Sequence, residues 1–220
     1  MSTPSHSEKE FFTYDDYKLW PDEERWEIID GEPYNMSPDA WPSRSQSDRP
    51  GPAPGMTHQK MLGEIHRQIA NFLEDKPCDV YVAPFDVRLA AQKNASDDEI
   101  FNVVQPDVSV FCSEEKLDDA GAVAAPDIAV KVLSPYTSVK DQREKLALYE
   151  RFGVKEYWII DPANQTLSVY SLNGGETGGA GGSYSKPVVY GPEDSLTSAV
   201  LKSFSLHLED VLRPLKKSKK

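Results

Sequence analysis

The sequence predicts a mixed α/β domain: an antiparallel hairpin near its start, then amphipathic helices interleaved with apolar strands. Trp26-Glu-Ile-Ile-Asp-Gly-Glu32 is a short apolar run that ends in Asp-Gly, a dipeptide suited to the positive φ of a tight turn, with 33–36 as the returning arm. Leu62, Ile65, Ile69 and Phe72 recur at helical spacing. Ile128, Val130 and Val132 alternate with Ala129, Lys131 and Leu133, so both faces are largely apolar, as in a strand covered on both sides in the middle of a sheet. Lys131 is therefore expected to be partly buried.

The remaining elements follow in order. Residues 1–10 are polar and expected to be disordered; Tyr14 to Trp20 reads as a short helix with Thr13 as its N-cap. The stretch 37–56 holds Pro38, Pro42, Pro50, Pro52 and Pro54, the composition of a long surface loop. The helix after it is expected from about His58 to Leu73, capped by Thr57, with His58 in its first turn. Val80, Val82, Val87 and Leu89 suggest a strand or a bent strand pair, 95–99 an acidic turn, and Val103 to Phe111 one further strand. Ser138 with Asp141 resembles a capping box opening a helix whose buried side carries Leu146, Tyr149 and Phe152 and which stops at Gly153.

Glu156 to Asp161 and Thr166 to Ser171 are the next strands. Residues 174–182 contain six glycines and form the tip of a hairpin returning through 184–190. This is not a phosphate loop, because the Lys-Ser or Lys-Thr pair and its helix are missing. A short helix over Leu206 to Leu212 closes the chain, giving one domain over 11–213, with 37–56 and 173–183 as flexible loops and 214–220 as a basic tail.

Composition narrows the function classes. With 220 residues the chain can bury one substantial core. Its net charge of −12 disfavours the clustered Lys and Arg that phosphate contacts need, and the one obvious basic run, 216–220, lies in the tail. No apolar stretch is long enough for a membrane span and no signal-peptide core is present, so a cytoplasmic protein is expected. Cys78 and Cys112 lack metal-ligand spacing and are expected to be reduced thiols.

The predicted elements bring Pro106-Asp107, Lys131 and Lys145 toward one place. Here the chain resembles the Uma-type family of restriction-endonuclease-like proteins, a branch of the PD-(D/E)xK nuclease superfamily. The matching text is Glu27-Ile-Ile-Asp-Gly-Glu32, a helix opening with His58, Pro106-Asp-Val-Ser-Val110, Val130-Lys-Val-Leu-Ser-Pro135, Lys145 with Tyr149, and Gly153-Val-Lys-Glu-Tyr-Trp-Ile-Ile-Asp-Pro162. The resemblance implies a restriction-endonuclease-like core with flanking helices and an added β-hairpin. It further implies an Mg²⁺- or Mn²⁺-dependent DNA endonuclease that hydrolyses phosphodiesters, most simply as a homodimer. By the same resemblance Asp107 binds the metal, a glutamate at 131 completes the site, and Lys145 stabilises the attacking water or the phosphate. His58 and Glu27 or Glu32 lie where the family places further acidic or metal-proximal groups, with Asp86 as another candidate ligand. The chemistry explains these types, since hard Mg²⁺ prefers carboxylate oxygens and lowers the pKa of a bound water.

Lys131 departs from that pattern. An ammonium there removes a ligand and repels a metal by roughly 4 kcal/mol per unit of metal charge at ~4 Å in an effective dielectric of ~20. Two readings follow. Lys131 ion-pairs with Asp107 and the protein is a non-catalytic binding or dimerisation module; or Lys131 serves as the catalytic lysine and Glu27, Glu32 or Asp86 supplies the missing ligand.

Overall fold

Two sheets share the middle of the chain, and the alternation of apolar side chains decides which layer each strand covers. The computed structural model describes residues 11–21, 24–36, 55–133, 138–174 and 181–213. In chain order these form α1 (Tyr14–Tyr17), β1 (Trp26–Ile29), β2 (Glu32–Asn35), α2 (Met56–Leu73), β3 (Asp79–Val82), β4 (Val87–Arg88), β5 (Val103–Val104), β6 (Val108–Phe111), β7 (Leu117–Asp118) and β8 (Gly121–Ala122). The chain continues with β9 (Ile128–Val132), α3 (Ser138–Arg151), β10 (Glu156–Asp161), β11 (Thr166–Asn173), β12 (Ser183–Tyr184), β13 (Val188–Tyr190), β14 (Ser195–Thr197), β15 (Ser205–His207) and α4 (Leu208–Leu212). No helix among the described residues is long and apolar enough to cross a membrane. The expected disordered start, most of the proline-rich loop, the glycine-rich tip, the basic tail and the side chains of the Ser138–Asp141 capping box lie outside the described residues.

The larger sheet runs β12-β11-β10-β9-β6-β3, with β13 also paired to β11. β9 and β10 are parallel, joined by α3, and the other pairings in this sheet are antiparallel. Every residue of β9 is buried, as its two-sided apolar pattern predicts. Ile128, Val130 and Val132 pack with Met61, Ile65 and Ile69 of α2 and with α4. Ala129 and Leu133 join Leu148 and Tyr149 of α3 in a second cluster that reaches Val87, Val104 and Ala122 of the smaller sheet. Tyr157 and Trp158 are fully buried core aromatics, one in each cluster.

The smaller sheet runs β2-β1-β5-β4-β8-β7. Its β1–β2 hairpin turns at Asp30 (φ 51°) and Gly31 (φ 81°), the positive-φ pair that Asp-Gly supplies most readily. Gly121 (φ 128°) lies where β8 passes β4: a Cβ added there would stand 2.4 Å from the backbone oxygen of Asp86.

Several sequence expectations are corrected. Val103 to Phe111 forms two strands in different sheets, because Pro106 has no N–H to continue a ladder and the chain turns a corner at Gln105-Pro106-Asp107. Val80 to Leu89 likewise divides between the sheets as β3 and β4. The first helix stops at Tyr17, and α2 begins at Met56 with Gly55 as N-cap, so Thr57 lies inside it. Leu206 and His207 belong to β15, ahead of the last helix. Cys78 and Cys112 are disulfide-bonded, since the antiparallel pairing of β3 with β6 sets them opposite each other one step beyond Asp79 and Phe111.

These environments rank two glycine substitutions. Gly63 is exposed within α2 with open space where a Cβ would go, so Gly63→Ala is expected to stabilise by up to about 1 kcal/mol. Gly121→Ala meets a backbone oxygen from a left-handed conformation and is expected to cost more than 1 kcal/mol. Urea titration of the two variants checks both sign and order.

Candidate active site

Asp107 stands at the corner where the chain passes from the smaller sheet into β6. Its own N–H donates to the Val130 carbonyl at 2.9 Å, and Pro106 and Gln105 then turn away, leaving the N–H of Val132 on β9 without its next strand partner. The Asp107 carboxylate takes that place: Val132 N–H donates to Oδ2 at 2.7 Å. Lys131 Nζ donates to Oδ1 at 3.1 Å, and His58 Nε2 lies 3.4 Å from Oδ2. Asp107 is 4% exposed and Lys131 8%, so this ion pair is buried. Burial alone pushes the Asp107 carboxyl up, but the Lys131 ammonium, the His58 contact and the Val132 N–H outweigh it and hold the group well below the ordinary carboxylate range. The other ring nitrogen of His58, Nδ1, is buried with no hydrogen-bond partner among the described residues.

On the other side of the corner a second acid does the same work. Glu27 of β1 accepts the Gln105 backbone N–H at 2.9 Å and Lys145 Nζ at 2.7 Å, both on Oε1. Glu27 is 1% exposed and Lys145 is fully buried, so neither is the hairpin charge or solvated helix residue that their sequence neighbourhoods suggest. Each carboxylate thus receives a backbone N–H beside the corner and a lysine ammonium.

The remaining sequence candidates are placed elsewhere. Asp86 Oδ1 accepts from Tyr17 Oη at 3.0 Å and from Gln105 Nε2 at 2.8 Å, while Arg25 Nη2 donates to Gln105 Oε1 at 3.0 Å. Asp86 therefore braces the corner through the Gln105 side chain. Glu32 is exposed and accepts a hydrogen bond from Tyr34 Oη. Gln105 and Tyr17 carry no motif of their own in the sequence; the signal for Gln105 is its place before Pro106-Asp107.

The expected metal can be tested against these donors. A divalent cation such as Mg²⁺ needs several converging oxygens. Among the described residues no three His, Cys, Asp or Glu side chains are grouped to hold one, and Asp107, Glu32 and Asp86 do not converge. The contacts of Asp107 are with Lys131, His58 and Val132, and Glu27 Oε1 is held by Lys145 and Gln105. The described residues do not fit the metal that the resemblance implies.

The fold and this arrangement define a restriction-endonuclease-like protein. The chain belongs to the Uma2 family, described as putative restriction endonucleases, whose model matches residues 50–209. Among solved structures it is similar to a putative nuclease belonging to DUF820 from Anabaena variabilis, with a TM-score of 0.65 and 18% identity over 91% of this chain and 97% of that one. At that identity the likeness speaks for the fold. No curated protein matches the chain.

Two measurements check the electrostatics. Lys145→Met removes the ammonium that faces Glu27 Oε1 and is expected to cost about 3–5 kcal/mol, whereas Glu27→Gln combined with Lys145→Met loses less than the two single changes added together. For Asp107 the folded-state pKa is depressed below its ordinary 3.8, so its stabilisation is complete above about pH 4 and is lost as the pH falls toward the folded value. Between pH 4 and 2 the unsubstituted protein should therefore lose more stability than Asp107→Asn, followed by urea unfolding at each pH.

Proposed function

We propose that this chain is a nuclease-fold protein in which Lys131 replaces the divalent cation, so that it acts as a binding or dimerisation module and does not hydrolyse DNA with Mg²⁺. The observation that carries the reading is the buried contact of Lys131 Nζ with Asp107 Oδ1 at 3.1 Å. Charge makes the replacement coherent. A glutamate and a divalent cation together carry one net positive charge, and so does a single lysine. Lys131 can therefore substitute for both together without changing the charge that Asp107 and Glu27 have to balance. A buried ion pair of this kind is hard to open, because removing either partner strands a charge in a low dielectric. The net charge of −12 also disfavours DNA as the partner.

A second reading, an Mg²⁺-dependent DNA endonuclease that uses Lys131 as its catalytic lysine, is favoured by one observation: Asp107, Glu27 and Lys145 are all retained, with both acids bonded around a single three-residue corner. It requires Asp107 to exchange Lys131 for a metal.

Lys131→Glu separates the two. It places a third carboxylate beside Asp107 without its cation, so its melting temperature should fall in EDTA and recover when millimolar Mn²⁺ or Mg²⁺ is added. Under the proposed reading the unsubstituted protein shows no metal-dependent shift and no plasmid nicking. Metal-dependent nicking by the unsubstituted protein, abolished in Asp107→Ala, would overturn it in favour of the enzyme.

A further inference from the structure

The chain has only two cysteines, and the structure joins them at the edge of the larger sheet, far along the β3–β6 ladder from the candidate site. We infer that Cys78 and Cys112 form a reversible thiol–disulfide couple that clamps edge strand β3 and thereby governs the ladder holding Asp107. This goes beyond the proposed function and does not depend on whether the protein is an enzyme.

The register is the first support. Ala83 N–H donates to the Asp107 carbonyl at 3.1 Å, and Val82, Tyr81, Val80 and Asp79 pair in turn with Val108, Ser109, Val110 and Phe111. Antiparallel pairs alternate between hydrogen-bonded and open positions, and counting from Ala83 puts Cys78 opposite Cys112 at an open one, where Cα atoms approach most closely. Their Cα atoms are 4.0 Å apart. The neighbouring pairs thus hold the two sulfurs together in either redox state, and the bond can form or break without refolding.

Access is the second support. Both cysteines are only partly buried, and Cys78 lines an open groove between the end of α2 and β3 with His66, Ala70, Glu74 and Asp79. A small thiol can reach Cys78 there, as exchange requires. The step balances with a small-molecule disulfide such as oxidised glutathione. The Cys78 thiolate attacks one glutathione sulfur and releases the other as thiolate. The Cys112 thiolate then attacks the Cys78 sulfur of the mixed disulfide, forming the protein disulfide and releasing the second glutathione. Two electrons pass to glutathione, and the two cysteine protons go to solvent or to the departing thiolates.

Position is the third support. Among the described residues β3 forms one edge of the larger sheet with β6 as its one strand neighbour, so that ladder is its restraint within the sheet. The disulfide closes one end, and the Ala83–Asp107 hydrogen bond closes the other.

The test uses the folded, unsubstituted chain in buffers of reduced and oxidised glutathione, quenched by alkylation and read by mass. The expected result is a reversible two-electron transition without denaturant. Oxidation should also slow hydrogen exchange at Tyr81 and Ala83, whose N–H groups face β6, by roughly tenfold or more. In Cys112→Ser, Cys78 should take up glutathione severalfold faster than Cys112 does in Cys78→Ser. A bond that yields to reduced glutathione only after unfolding, thiols that stay reduced under excess oxidised glutathione, or exchange at Tyr81 and Ala83 that ignores the redox state would each overturn the inference. The titration and exchange arms do not require either serine variant to fold.

Discussion

A carboxylate buried in a protein interior costs several kcal/mol unless a cation and hydrogen-bond donors go in with it. Asp107 meets that demand with Lys131, His58 and the N–H of Val132, and the surrounding structure is organised to keep it met. Pro106 ends one ladder and lets the chain swing between sheets. The turn leaves a strand N–H on β9 that only a side-chain oxygen can satisfy. Glu27 repeats the arrangement for the N–H of Gln105, with Lys145 as its cation. Two ion pairs therefore meet at the corner between the sheets, one within the larger sheet and one between β1 and α3, and removing one partner of either leaves a buried charge to be compensated.

This geometry explains why the same residues can serve a nuclease or a module that cuts nothing. The fold supplies a buried acid at a strand start and a lysine from the following helix, and a metal-dependent enzyme would add an acid on the neighbouring strand and a cation. In the proposed function Lys131 occupies both places at once. The bracing network of Arg25, Gln105, Asp86 and Tyr17 would hold the corner in either case, which accounts for an acid such as Asp86 near the site that takes no part in gathering ligands.

The two helices show where sequence reasoning succeeds and where it falls short. In α2, Ile65 and Ile69 mark the buried stripe without ambiguity, and both are fully buried. In α3, Lys145 stands at i, i+3, i+4 and i+7 with Leu148, Tyr149 and Phe152, which is the apolar stripe itself, yet a lysine there reads as a polar face because charge normally marks solvent. Its burial is made tolerable by Glu27, 118 residues away in sequence, which lies opposite it. The Cys78–Cys112 pairing was hidden in the same way, since two cysteines with no local motif acquire a relation only through strand register.

The sequence by itself determined the alternation of β9, the hairpin at Asp30-Gly31 and the amphipathic run of α2, because each depends on residues within a turn or two of one another; Lys131 stood out only against the pattern of the family that the chain resembles. Only the tertiary structure decided that Val103 to Phe111 divides between sheets, that Glu27 and Lys145 neutralise each other, that Asp86 is a brace, and that Lys131 reaches Asp107. These outcomes rest on contacts between distant segments. Their energetics turn on burial, which sets the dielectric around a charge and is a property of the packed whole.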